Sequence, residues 1–478
     1  MTANKIQNKY NGIVPSPKAY KGLAWIAAMA FFMQTLDATI LNTALPAISH
    51  SLNESPLNMQ LAVIAYAVSV ALFIPLSGWL ADNYGSLKVF RISVGIFILG
   101  SIACALSISL DMLIFSRILQ GMGGALMMPV VRLTMIQTIP KKQLISAWNL
   151  AAIAGLLGPI LGPILGGWLV TYATWHWIFL INIPIGIIGI IASKLYMPNL
   201  TDNIFKLDWY GFLLFAGGLV GITLGLDLVA EGMSELAIAI VLLVLGSLFL
   251  CAYVAHAKKT DKPLLSLKVF KIRTYRLGLM VNLFIRLCAS SVPFLIPLMF
   301  QIVFGYSAEI VGWLLAPIAI SSIIAKPIVT PLLKLFGYKR TLIISSFMIM
   351  LVVAMMGFLN AQTPLIAIIV LFCCYGVCMS ILFTSINTLT ISELDNGLAS
   401  VGSTLLSVTQ QVGIGIGIAV SAMLLNVYRH LLEDKVFIVN NELLQQAFSY
   451  TFFTTSLFGI YLLLTLRKLE HQDGNNLI

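Results

Sequence analysis

Apolar runs of about twenty residues, each closed by a few polar or charged positions, recur from residue 22 to residue 466 of this chain. A helix of that length crosses the roughly 30 Å of hydrocarbon in a bilayer. The runs predict spans over 22–46, 59–81, 89–109, 112–137, 147–171, 178–197, 209–229, 236–256, 277–303, 308–330, 341–360, 365–390, 400–426 and 447–466. The expected fold class is therefore all-α and integral to the membrane, with 14 transmembrane helices.

An even number of spans puts both ends of the chain on one side, and the basic residues say which. Of 28 Lys and Arg residues, 22 fall in segments on the side of the N-terminus, two (Arg429 and Lys435) on the other, and four (Arg117, Arg132, Arg286 and Lys326) inside spans. Positive loops stay in the cytoplasm, so both termini are expected there. Composition agrees with a polytopic chain: 59% of residues are hydrophobic and 10% charged, with a mean hydropathy of +0.97. The net charge of +10 is then the charge of loops facing anionic lipid, and nucleic acid is excluded as a partner. Residues 1–21 are polar and basic, but the apolar run after them is too long for a signal-peptide core, so the first helix is expected to be retained. All six cysteines (Cys104, Cys251, Cys288, Cys373, Cys374 and Cys378) fall inside spans, where packing explains them better than a metal or a disulfide.

The first and last six spans carry matching landmarks. Gly85 of "DNYGSLK" matches Gly337 of "KLFGYKR", Gly121 of "LQGMGG" matches Gly376 of "CYGVCM", Gly158 of "GPILGPILGG" matches Gly413 of "VGIGIGIA", and Pro46 matches Pro297. The near-constant spacing predicts two parallel six-helix halves, an arrangement that lets one half rock against the other. The expected organisation is a tail (1–21), an N-terminal half (22–200), a two-helix insert (201–256), a basic linker (257–276), a C-terminal half (277–466) and a tail (467–478). The linker carries seven basic residues and reads as either a hinge or an interfacial helix.

Three groups of residues carry candidate chemistry. Gly158, Gly162 and Gly166 recur every fourth residue and share a helical face that admits a second backbone, while Pro159 and Pro163 each remove a helical hydrogen bond and allow bending. A packing groove and a hinge use the same residues. Gly78 and Gly85 permit a tight cytoplasmic turn, and Asp82 between them can accept from a helix N-terminus and tie the halves together on that side. Asp37 is an acid within an apolar run, roughly 13 Å below the outer end of the first span, and Arg117 lies roughly 7 Å below the same boundary. The difference is within reach of an arginine side chain. Arg286 stands roughly 13 Å from the cytoplasmic boundary, almost the counterpart of Asp37 in the other half. An unpartnered guanidinium there costs at least about 2.5 kcal/mol, so a counter-charge or a bound anion is expected.

The motifs together resemble the major facilitator superfamily. "GWLADNYGSLKVF" (78–90) is similar to its loop signature, with Gly78, Asp82, Gly85 and Lys88 in place, and "RILQGMGGA" (117–125) to its fourth-helix motif. "GLLGPILGPILGG" (155–167), with Gly167 at its end, resembles the fifth-helix motif of antiporters, and "LDATILNTALP" (36–46) the first-helix motif of the 14-span drug:proton antiporters. "WHWIFLINIPIG" (175–186) and "PLMFQIVFGYS" (297–307) follow the same pattern. The sequence departs from it at Asn83 and His176, where the family has basic residues. The resemblance implies a 6 + 2 + 6 helix carrier of the cell inner membrane that exchanges protons for an exported small molecule, without cofactor or catalysis, and works as a monomer. Asp37 and Arg117 would couple the proton, Gly78, Asp82, Gly85 and Lys88 would gate, and Thr35, Thr39, Asn42, Gln120 and Arg286 would line the substrate cavity. Thr35, Thr39 and Asn42 serve equally well for hydrogen bonds between helices.

An energy source other than a gradient is hard to accommodate. The Gly-rich runs follow no strand, and neither a phosphate loop of the Gly-Lys-Ser/Thr kind nor a soluble segment of about 100 residues is present. A membrane-embedded enzyme or sensor lacks its paired acids, its His-Glu-x-x-His motif and its extramembrane domain. Two deep cations against one acid keep open a second cargo class, an organic anion such as citrate or a metal chelate, beside the lipophilic cations usual for drug pumps.

Overall fold

Inside hydrocarbon a backbone N–H or C=O has no water to bond, so an apolar chain satisfies its own groups as helix. The computed structural model describes residues 17–56, 58–201, 206–231, 235–261, 263–394, 396–433, 441–470 and 472–474, and among them it contains helices and no strand. Lys435, most of the expected N-terminal tail and the last four residues of the expected C-terminal tail lie outside the described residues.

One compact unit takes residues 1–54 and 61–208. Its helices are α1 (Pro17–Leu52), α2 (Gln60–Phe73), α3 (Leu76–Tyr84), α4 (Ser86–Ala105), α5 (Leu110–Thr138), α6 (Lys141–Tyr172), α7 (Trp177–Leu180) and α8 (Asn182–Tyr196). The central pairing is α1 along α6, with α5 and α8 also against α1, and α4 between α5 and α8. Helix α1 runs six residues past Pro46, where the sequence predicted the span to end. The proline removes one hydrogen bond without stopping the helix. The expected second span is a pair, α2 and α3, bent by 53° where Pro75 lacks the N–H that would continue the ladder.

The second unit takes residues 55–60 and 209–478. It holds α9 (Trp209–Glu231), α10 (Leu236–Lys259), a 3-10 turn (Leu267–Lys271), α11 (Arg273–Ala289), α12 (Val292–Leu298), a π turn (Met299–Val303), α13 (Ala308–Met356), α14 (Leu365–Ile391), α15 (Asn396–Glu433) and α16 (Asn441–Arg467). The two inserted helices pack within this unit, α9 against α10 and α15. Within the expected basic linker (257–276), α10 ends at Lys259, a 3-10 turn takes Leu267–Lys271 and α11 starts at Arg273. The linker is pinned by the Tyr253 hydroxyl, which accepts from the Leu265 N–H (2.8 Å) and donates to the Leu265 carbonyl (3.0 Å).

Among the described residues, twelve helices are long and apolar enough to cross a membrane, and the bent pair α2 and α3 makes up to thirteen. Helix α13, at 49 residues, is about 73 Å long if straight, more than twice the hydrocarbon thickness. It breaks at Gly337, where φ is 73° and ψ is 167°.

The landmarks that suggested a repeat occupy like surroundings in each unit. Gly85 (φ 93°, ψ 138°) separates α3 from α4 as Gly337 breaks α13. A Cβ on Gly121 would run into the Tyr66 carbonyl and the Ser69 hydroxyl, and a Cβ on Gly376 into the Ile318 carbonyl and the Ser321 hydroxyl. Residues 66 and 318, like 69 and 321, share one spacing, so the same helix crossing is built twice.

Candidate functional site

The fourth-helix motif brings Arg117 and Gln120 onto one face of α5, one turn apart. Small residues beside them let neighbouring backbones close in: Gly121 meets α2 at Tyr66, and Gly123 meets the α4 backbone at Phe97. Into the space between these helices α1 presents Asp37, 1% exposed.

The carboxylate is enclosed by donors. Arg117 Nη1 donates to Asp37 Oδ2 at 2.7 Å and to Gln120 Oε1 at 2.6 Å, and Arg117 Nε donates to the Ala62 carbonyl at 3.3 Å. The guanidinium lies 4.2 Å from the Tyr66 ring centroid, a cation–π contact. Gln120 Nε2 donates to Asp37 Oδ1 (2.7 Å) and to Ser101 Oγ (2.9 Å), and Cys104 Sγ reaches Gln120 Oε1 at 3.6 Å. Asn182 Nδ2, from the start of α8, donates to the same Asp37 Oδ1 at 3.2 Å. The pair inferred from depth is thus a direct ion pair, and Gln120, read as a cavity residue, braces it. Desolvating two charges costs several kcal/mol per ion, which only good geometry and filled lone pairs offset. Here Oδ1 has two donors and Oδ2 has the guanidinium.

Ser101, Tyr66 and Asn182 were not singled out in the sequence. The one signal was Asn182, a polar residue inside the apolar run of "FLINIPIG". In the same stretch Trp175 is buried: it stacks on His176 at 3.8 Å and meets Phe179 edge-on, while Trp177 is exposed.

The antiporter motif packs against the helix that carries the acid. Gly158, Gly162 and Gly166 of α6 face Thr35, Thr39 and Thr43 of α1 rung for rung, and a Cβ on any of the three glycines would overlap its threonine. Thr39 Oγ1 donates to the Thr35 carbonyl of its own helix at 2.9 Å and lies 3.3 Å from the Gly158 carbonyl, and Thr43 Oγ1 lies 3.4 Å from the Pro163 carbonyl, so the contacts across the groove are long. Thr35 turns to its own helix, donating to the Phe31 carbonyl at 2.8 Å. The structure therefore has Thr35 and Thr39 in a helix contact, with α6 continuous through Pro159 and Pro163 and Gly167 buried. Asn42 is 7% exposed, and its Oδ1 has no hydrogen-bond partner.

At the loop, the expected turn of two glycines is a turn of one. Gly78 stands inside α3 with open space around it, and the turn itself falls to Gly85 alone. Asp82 lies on the last turn of α3, and Lys88 is exposed on α4. The first N–H groups of α4 are met by Asn199, whose Oδ1 accepts from Leu87 N at 3.1 Å. Ser86 is bonded to the same strap: its N–H donates to the Leu200 carbonyl at 2.9 Å and its hydroxyl to the Pro198 carbonyl at 3.0 Å. Backbone with φ and ψ like those of Gly85 and Gly337 costs other residues about 1–3 kcal/mol. Gly337→Ala is expected to lower the thermal midpoint in detergent by that strain alone, because no atom stands within 4 Å of its Cβ position. Gly85→Ala is expected to fall further, since its Cβ meets the Asn199 side chain. Equal midpoints for the two variants would contradict this reading.

The second unit solves the corresponding position differently. Tyr375, in the place of Gln120 by the repeat spacing, donates its hydroxyl to the Ala289 carbonyl at 2.6 Å, and Phe372, in the place of Arg117, stacks on Phe300 with 6.0 Å between centroids. The charge pair has no counterpart there. A cation stands instead on α11: Arg286 is partly exposed, with its guanidinium 4.2 Å from the Phe383 ring centroid. Gly413 and Gly417 of α15 fit against its stem and its carbonyl. Its Nε is enclosed without a hydrogen-bond partner, and among the described residues no acid forms an ion pair with it.

Two helical units with repeated crossings and a charge pair buried in one of them define a membrane carrier. A family model described as Major Facilitator Superfamily matches residues 27–418, and the chain belongs to that family: it is a multi-pass transporter of the inner membrane, not an enzyme. The probable transport protein HsrA of Haemophilus influenzae is 56% identical over 459 residues, 96% of this chain and 98% of the relative. The putative multidrug resistance protein MdtD of Shigella boydii serotype 4 is 41% identical over 450 residues, 92% of this chain and 93% of the relative, so the chain is an MdtD-like member of the superfamily. Among solved structures, a D-xylose-proton symporter shares the fold with a TM-score of 0.69 at 12% identity, covering 95% of this chain and 99% of the other. An auto-inhibited POT family peptide transporter does so with a TM-score of 0.66 at 14% identity, covering 96% and 98%.

Proposed function

We propose that this chain is a proton-coupled efflux carrier that exports small molecules, of the multidrug type, in exchange for protons by alternating access. The observation that carries the reading is the acid on α1, sealed from solvent and held by Arg117 and Gln120. Burial favours the neutral form of a carboxylic acid and the adjacent guanidinium favours its ionised form, so a movement that loosens the pair changes which form wins. Asp37 and Arg117 are the coupling residues in this reading, and the α1–α6 ladder carries movement of α6 to the helix of the acid. The multidrug naming of relatives supports export, and proton coupling rests on the enclosed acid itself.

The reading includes 14 spans in a 6 + 2 + 6 order with both termini in the cytoplasm. The break at Gly337 supports it, because it divides a helix too long for one crossing into two of span length. It keeps the expected segment boundaries, with loop residues Gly78, Asp82, Gly85 and Lys88 as the cytoplasmic gate, Asn42 near the cargo, and a monomer as the working unit. The test is transport in inside-out vesicles with an acidified lumen. Cargo added outside is expected to enter and release protons from the lumen. Absence of proton release with every cargo that the vesicles accumulate would refute the coupling.

Arg286 favours a second cargo reading. Arg117 is neutralised by Asp37, whereas Arg286 is a membrane-embedded cation with an orphaned Nε and no acid pairing with it among the described residues. An organic anion would supply the missing charge. Arg286→Gln is expected to lower the uptake of such anions at least tenfold, at about 1.4 kcal/mol per decade, while leaving uptake of cationic dyes unchanged. A parallel loss of both cargoes would count against an anion site.

A further inference from the structure

Two neutral amides reach Asp37 Oδ1, and only one of them has its acceptor in use. Gln120 is locked: its Oε1 takes bonds from Arg117 and Cys104 while its Nε2 gives to Asp37 and Ser101, so turning it over would break all four. Asn182 gives its Nδ2 to Asp37, yet its Oδ1 is enclosed with no partner at all. The residue is 1% exposed, so water does not supply what the protein withholds. An orphaned buried acceptor of this kind costs about 1–3 kcal/mol, and such a cost at a functional centre calls for a reason.

Protonation of Asp37 supplies one. Oδ2 faces the guanidinium, which only donates, so an added proton has its place on Oδ1. A protonated Oδ1 needs an acceptor, and of its two amide neighbours Gln120 has its carbonyl occupied. A half-turn of the Asn182 amide exchanges Nδ2 for Oδ1 at nearly the same point in space, and this terminal torsion is soft. We propose that Asn182 is the positioning residue of the proton site, donating to Asp37 when it is ionised and, after an amide reversal, accepting the Asp37 O–H when it is protonated. The proton enters the Asp37 O–H bond, the Asn182 N–H···O bond is exchanged for O–H···O, and no other group changes its charge.

The surroundings leave this role to Asn182. The charged and titratable groups near Asp37 are Arg117 on α5, Cys104 on α4 and Tyr66 on α2. Arg117 has no acceptor, Cys104 points to Gln120, and the Tyr66 hydroxyl, also enclosed without a partner, makes no hydrogen bond to Asp37 as Asn182 does. From α6 come the glycines of the ladder, and α7 presents the Phe179 ring. Helix α8 begins at Asn182, and Gly186, one turn on, fits against Ile98 of α4 with no room for a Cβ. That contact fixes the backbone, and the reversal needs only the terminal torsion of the side chain.

The inference rests on Asp37 being the proton site, and infrared difference spectra separate the two ideas. Wild-type protein is prepared in lipid with asparagine labelled at the side-chain amide carbon, and spectra at acid and neutral pH are subtracted. The expected result is a carboxylic acid band that Asp37→Asn removes, accompanied by a shift of one labelled amide carbonyl. That amide signal should be missing from both Asp37→Asn and Asn182→Leu. In vesicles, Asn182→Leu should exchange about tenfold more slowly, because the protonated acid is left without its acceptor. An Asp37 band with no amide signal, or an amide signal that survives in Asn182→Leu, overturns the reversal alone. Absence of any Asp37 band in the wild type overturns the proton site itself.

Discussion

Asp37→Asn will abolish gradient-driven transport and will also destabilise the protein. The side chains have nearly the same shape, so α1 keeps its packing, but the variant cannot take up a proton and leaves Arg117 as a charge 1% exposed with only neutral acceptors, Gln120 and the Ala62 carbonyl. Removing one partner of a buried pair costs about 3–5 kcal/mol, enough to lower the midpoint of thermal unfolding in detergent markedly. Arg117→Gln should do the same from the other side. The informative measurement is the double variant. With both charges gone the desolvation cost is gone too, so stability should return most of the way to wild type while proton exchange stays absent. Additive losses of stability in the cycle, or exchange that survives in either single variant, would contradict a coupling role for the pair.

The second large effect belongs to the α1–α6 groove. Gly162→Ala places a methyl group on the Thr39 hydroxyl with the Thr39 Cβ and the Ile40 backbone nitrogen close behind. Overpacking a tight contact costs about 1–3 kcal/mol, and here it also pushes α6 away from the helix that carries Asp37. Gly162→Ala should therefore lose both thermal stability and transport, and Thr39→Ala on its own should be mild. Combining them removes the hydroxyl that the new methyl strikes, so part of the stability and rate should come back. Gly158→Ala should be rescued less well by Thr35→Ala, because its Cβ comes closer to backbone, 2.7 Å from the Leu36 nitrogen against 3.1 Å from Ile40 for Gly162. No rescue in either pair would mean that the ladder is not the contact that matters.

The helices were legible in the sequence because crossing a bilayer demands a length and a hydropathy that few other structures have. The ion pair was legible for a related reason: a charge in an apolar run is costly enough to need a partner, and counting residues from two span ends brought Asp37 and Arg117 to within about 6 Å in depth. Asn182 escaped because a neutral amide carries a smaller penalty and announces no partner. The strap at Asn199 escaped because it is irregular backbone whose contact with Gly85 joins positions far apart in sequence. The positive φ of Gly85 left a trace, a glycine repeated at 337, but Gly78 in the same motif is an ordinary helical residue. For Thr35 and Thr39 the sequence allowed both a cargo contact and a helix contact, and only the facing glycines distinguish them. The same counting gave two deep cations, and the structure pairs Arg117 with an acid, whereas Arg286 has none among the described residues.

Proton coupling can be read most directly from purified protein in lightly buffered detergent, by adding an accumulated cargo and following the pH. Wild-type protein should release protons as cargo binds, and Asp37→Asn should bind cargo without releasing any. Equal release from both would show that the proton is carried elsewhere.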